Sequence, residues 1–172
     1  WKKGKIQFAL LGIENQTKID FQMPLRVMSY DGSAYMSQYK KKVKHPYPVV
    51  TIVLYFGNQR WNRNKSLCEC VTVPENLAGY VNDYRIHVCE VAYLTEEQLA
   101  MFRSDFRVVA EFFVKRRKDK AYVPESTEEL THIKEVLNLL SAVTQDDSYK
   151  QVYRTSKGKV RNMCEVADRI RQ

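Results

Sequence analysis

At 172 residues the chain is long enough for one hydrophobic core and too short to require two. With 44% hydrophobic, 12% aromatic and 28% charged residues it reads as globular, which excludes low-complexity and fibrous classes. No apolar run approaches a membrane span, Trp1-Lys2-Lys3-Gly4 does not read as a signal peptide, and the net charge of +8 favours a polyanionic partner, nucleic acid above all.

The chain opens with a turn, lysines flanking Gly4, and continues as a strand from Ile6 to Gln16. Its centre, Phe8-Ala9-Leu10-Leu11-Gly12-Ile13, is apolar on both faces, which predicts a central strand covered on both sides. A loop follows, with Asp20 as the expected helix cap. The next helix is predicted from Met23 to about Val43, with Pro24 in its first turn and Leu25, Met28, Tyr35 and Tyr39 at helical spacing. Lys40, Lys41, Lys42 and Lys44 suit its end, and Pro46-Tyr47-Pro48 stops it. Val49 to Phe56 is a second buried strand, and Gly57 to Lys65 a basic loop.

A third strand is expected within Asp83 to Leu94, around Ile86, Val88 and Val91. Thr95-Glu96-Glu97-Gln98 is a helix start, leading into a helix that ends in Lys115-Arg116-Arg117-Lys118 or breaks near Ser104. Ser126 or Thr127 is expected to open a helix to about Val143, and a last helix runs from Met163 to Arg171. The order implies an α/β core over residues 1–94 and a helical C-terminal extension over residues 95–172, packed on that core. Cys68, Cys70, Cys89 and Cys164, with His45, His87 and His132, lack the paired spacing of a zinc site. They read as thiols of a reduced cytoplasmic protein.

The chemistry concentrates where the first strand turns polar, at Ile13-Glu14-Asn15-Gln16. Residues two apart on a strand share a face, so Glu14 and Gln16 project together. A carboxylate at an exposed strand end can hold Mg²⁺, with the Asn15 backbone carbonyl as a further oxygen ligand and Gln16 beside it to orient water. Taken alone, Glu14-Asn15-Gln16 reads better as an ordinary polar strand end than as a metal site. On the next helix Arg26 and Tyr30 are four apart and share a face, where they suit a phosphate and a backbone or water contact, or else a surface pair and a core tyrosine. Gln38 lies on the helical stripe of Asp31 and is a weaker candidate. Lys40–Lys44, Arg60 with Arg63 and Lys65, and Lys115–Lys120 are phosphate-binding or solvated clusters, and Trp61 reads as a base-stacking or sheet-edge residue.

The run Ala9-Leu10-Leu11-Gly12-Ile13-Glu14-Asn15-Gln16-Thr17, then Asp20, Met23-Pro24-Leu25-Arg26-Val27-Met28, Tyr30-Asp31 and Tyr35, resembles the recombination-promoting nuclease/putative transposase family. Tyr47-Pro48-Val49-Val50-Thr51, Leu54-Tyr55-Phe56-Gly57, Trp61-Asn62 and Tyr93-Leu94-Thr95 extend the likeness along nearly the whole chain. The resemblance implies the PD-(D/E)XK superfamily, a restriction-endonuclease-like mixed sheet flanked by helices, Mg²⁺-dependent DNA cleavage and a role in recombination or transposition. Glu14 then matches the acidic metal ligand, and Gln16 stands where the superfamily has a lysine, an exchange that removes the charge and any role as general base. The superfamily's other metal-binding aspartate lies on the preceding strand, so it is expected before Trp1, and residues 1–172 alone are then expected to cut less. DNA is the implied partner, a homodimer is compatible, and no membrane role is implied. A DNA-binding or protein-interaction module with a degenerate site, and a structural helper in a mobile-element complex, remain as alternatives.

Overall fold

A computed structural model describes residues 9–171; the expected turn over residues 1–5 and the strand start at Ile6 lie outside the described residues. The chain forms two compact units, the first holding the described residues up to Tyr55 together with Gln59–Cys89. Here β1 (Leu10–Gln16), α1 (Met23–Lys40) and β2 (Val49–Tyr55) form a strand–helix–strand unit. β1 and β2 are parallel, with Leu10 opposite Val49 and Gln16 opposite Tyr55, so a crossover must join them, and α1 is that crossover. β3 (His87–Glu90) completes a sheet of order β1-β2-β3. The architecture is α/β.

α1 packs Met23 and Val27 against Val53, Tyr55, Trp61 and Ile86. The strand period then sorts β1: Gly12, Glu14 and Gln16 face α1, beside Thr51, Val53 and Tyr55 of β2, while Leu11 and Ile13 point away. Those two remain 69% and 66% exposed. This corrects the expectation of a central, doubly covered strand. Among the described residues β1 is an edge strand whose only sheet neighbour is β2, and α1 covers one of its faces. The helix is also turned relative to its expected stripe. Its buried positions are Met23, Pro24, Val27, Asp31 and Gln38, whereas Tyr35 and Tyr39 are exposed. It ends at Lys40, before the expected Val43, because Lys42 turns left-handed at φ 51°. The third strand is shorter than expected, since the chain leaves it at Val91–Tyr93 in a 3₁₀ turn.

The second unit, Phe56–Asn58 with the residues from Glu90 onward, is helical: α2 (Glu96–Met101), α3 (Phe106–Lys118), α4 (Ile133–Thr144), α5 (Ser148–Thr155) and α6 (Met163–Ile170). Thr95 and Gln98 form the expected capping box, the Thr95 side chain accepting from the Gln98 N–H at 3.3 Å and Gln98 Oε1 from the Thr95 N–H at 2.9 Å. The break near Ser104 separates α2 from α3. Ser126 does not open α4. Its carbonyl accepts from the Cys164 N–H at 3.0 Å, and the Leu130 N–H donates to the Arg161 carbonyl at 2.8 Å, so this stretch bonds to the approach of α6 and helix begins only at Ile133. α5, which the sequence reading does not anticipate, follows a left-handed Gln145 at φ 57°. α6 agrees with expectation and is capped by the Asn162 side chain, which accepts from the Glu165 N–H at 2.9 Å. No described helix is long and apolar enough to cross a membrane.

Candidate functional site

The polar end of β1 meets the first turn of α1. Glu14 and Gln16 lie on one face, and Gln16 Nε2 donates to Glu14 Oε1 at 2.9 Å. Arg26 reaches the same oxygen from α1, Nη2 to Oε1 at 2.5 Å, while its Nη1 donates to Asp20 Oδ2 at 3.0 Å. Among the described residues nothing bonds the second oxygen of Glu14. Both carboxylates thus end on one guanidinium, in a half-exposed setting where the Arg26 and Glu14 side chains are 40% and 20% accessible.

Asp20 does more than the sequence expectation assigned to it. Gln22 is the N-cap residue of α1 and makes no side-chain cap bond; Asp20 accepts from the Gln22 N–H at 2.9 Å and so fixes the entry to the helix. Tyr30 is exposed, one turn beyond Arg26 on the same helix. The neighbouring Tyr30 side chain first, then the bond to Asp20, raises the Arg26 pKa; burial lowers it less, and the charge of Glu14 adds to the rise. Arg26 is therefore a permanent cation held by two carboxylates.

A family model described as "Putative transposase, YhgA-like" matches residues 1–149. The chain belongs to that family. The family is of the PD-(D/E)XK type, and its description ties this chain to transposition. No curated protein and no solved structure gives a significant match.

The donor set of this YhgA-like chain can be tested against the metal that the superfamily implies. Among the described residues no three Asp, Glu, His or Cys side chains converge in a metal-binding group. Two carboxylates do end on a shared cation, one with an oxygen to spare, and Mg²⁺ is commonly held by one or two carboxylates with water filling its remaining positions. The donor set is compatible with a hard divalent cation: Glu14 would be its main ligand, the exposed Asn15 could add its carbonyl, and Asp20 is the other carboxylate on Arg26.

Other candidates lie apart from this cluster. Gln38 is buried and occupied: its Nε2 donates to the Tyr47 carbonyl at 3.0 Å and its Oε1 accepts from the Tyr47 N–H at 2.9 Å, pinning the loop before β2. Trp61 is 2% exposed and meets Tyr55 edge-on at 5.1 Å, which removes it as a base-stacking group. Lys40, Lys41, Lys42 and Lys44 are exposed, as are Arg60, Arg63 and Lys65. The basic end of α3 is partly engaged, with Lys115 paired to Glu111 at 2.5 Å and Arg117 donating to the Ala92 carbonyl at 2.8 Å.

Sequence reasoning missed one polar cluster. Asp31, 3% exposed, accepts from Thr51 Oγ1 at 2.5 Å and from the Tyr84 hydroxyl. Burial first, then the bond to Asp31, raises the Tyr84 pKa above its ordinary 10.0. The signal was available: Asp31 lies four residues after Val27 and eight after Met23, on the buried stripe of α1, where a carboxyl group requires partners.

Proposed function

We propose that this chain supplies the Glu14 part of a PD-(D/E)XK nuclease site that hydrolyses DNA phosphodiester bonds with Mg²⁺ during transposition or recombination. The reading rests on one observation above all: Glu14 and Gln16 share a face at the end of β1, and α1 delivers Arg26 to them. The β1-α1-β2 unit is read as part of a restriction-endonuclease-like core. Bound Mg²⁺ supplies Lewis-acid stabilisation of the phosphate and a more acidic water.

In this reading Glu14 and the Asn15 carbonyl hold the metal, with Asp20 close by. Gln16 positions the attacking water through its amide, which does not titrate near neutral pH, so no proton is assigned to it. Arg26 binds the phosphate, and Tyr30, one turn on along α1, is placed to hydrogen-bond the DNA backbone or a water. The net charge of +8 draws DNA through its phosphates, so affinity falls as salt rises.

The test is cleavage of supercoiled plasmid, with any residues encoded upstream of Trp1 included. Cutting in Mg²⁺ and none in EDTA is expected, and Gln16→Lys is expected to retain or raise the rate. Cutting that survives EDTA contradicts the reading. A DNA-binding module without catalysis has one observation in its favour, the absence of three converging metal-ligand side chains among the described residues. It predicts salt-sensitive DNA binding with no cleavage in Mg²⁺.

A further inference from the structure

Among the described residues Arg26 is the one cation on Glu14, and it is anchored from two segments: Glu14 on β1 and Asp20 in the connecting loop. Oxygen Oε1 of Glu14 already receives two donors, from Arg26 at 2.5 Å and from Gln16 at 2.9 Å. A hard divalent cation seeks the same carboxylates, and a guanidinium beside it repels it. While Arg26 holds Oε1, only the second oxygen of Glu14 is open to the metal, and the guanidinium charge opposes its approach.

We propose that Arg26 is an internal competitor for the cation position between Glu14 and Asp20, and that it must release Glu14 before a divalent metal binds there. The proposal rests on the nuclease reading above and adds regulation of the same site. Arg26 sets the metal affinity, and its release frees a planar, doubly donating cation for a DNA phosphate. Asp20 keeps the released side chain nearby, since that bond does not depend on Glu14.

The experiment titrates Mn²⁺, as a calorimetric probe, into wild type, Arg26→Ala, Arg26→Gln and Glu14→Gln of the whole chain. Circular dichroism checks that each is folded. Removing a half-exposed ion pair and its positive charge should tighten Mn²⁺ binding by roughly threefold to tenfold in both Arg26 variants, and Glu14→Gln should abolish it. The second Arg26 variant keeps a hydrogen-bonding group at the helix start, so a folding defect in one does not remove the test. A wild-type readout runs alongside: the Arg26 Nε–H nuclear magnetic resonance signal should move as Mg²⁺ saturates the site. Equal or weaker binding in the Arg26 variants, or an unmoved Arg26 signal at saturation, overturns the competition and leaves the Glu14 reading standing. Binding that is absent from wild type and both Arg26 variants, or unchanged in Glu14→Gln, overturns the Glu14 reading and the inference with it.

Discussion

The first unit holds two acidic clusters on the same side of its sheet, and they differ in what is left over. Asp31 is buried, with Thr51 on one oxygen and Tyr84 on the other, so both carboxyl oxygens are used. Glu14 is partly buried, carries both its bonds on one oxygen and shares its cation with Asp20. A saturated buried group stabilises by having no unmet partner, and it has nothing to offer a ligand. An unsaturated, accessible carboxylate contributes little to stability and keeps capacity for a metal or water. The contrast separates a structural carboxyl group from a chemical one without reference to sequence position.

The contrast breaks most visibly at the buried cluster. Asp31→Ala strands the Thr51 and Tyr84 hydroxyls and should cost about 3 kcal/mol in urea unfolding. A loss below ~1 kcal/mol would mean that the cluster is not saturated as described. Gly12→Ala should follow at about 2 kcal/mol. A Cβ on Gly12 would sit 2.6 Å from Thr51 Oγ1, and that hydroxyl is not free to swing away because it donates to Asp31. Combining Gly12→Ala with Thr51→Val should recover part of the packing strain, which a thermal melt of the double variant measures.

Tyr84→Phe should cost less, about 1.5 kcal/mol, because it removes one hydroxyl donor and leaves the ring. Its pH dependence has a definite sign. Tyr84 has a raised pKa in the folded chain, so its contribution is fully present below the unfolded phenol value of 10.0 and is lost as pH climbs toward the folded value. The stability difference between wild type and Tyr84→Phe should hold constant from neutral pH to about 10 and shrink above it, as followed by urea melts at stepped pH. A difference that grows with pH would contradict the assigned bond.

The parts legible in the sequence were those with strong local signals. The apolar runs of β1 and β2, the Pro24 entry to α1, the Thr95 cap and the amphipathic α6 all emerge at or near their expected places. Period two alone places Glu14 and Gln16 on one face. What escaped depends on partners remote in the chain. The exposure of Leu11 and Ile13 follows from sheet order, which an apolar run cannot encode. The delayed start of α4 follows from backbone bonds to Arg161 and Cys164, over thirty residues away, where Ser126 offers a good cap that the fold does not use. Asp20 reads as a helix cap until Arg26 is seen to join it to Glu14. Asp31 reads as a polar helix residue until Thr51 and Tyr84 close on it.

The most direct test of the central claim compares Glu14→Ala with wild type on supercoiled plasmid in Mg²⁺, alongside their urea midpoints, with any residues encoded upstream of Trp1 included in both. The account predicts that cleavage falls to background, at least about a hundredfold, while stability changes by less than ~1 kcal/mol, since Glu14 loses only a half-exposed ion pair and an amide contact. Cleavage by Glu14→Ala at the wild-type rate, with an unchanged urea midpoint, would contradict it.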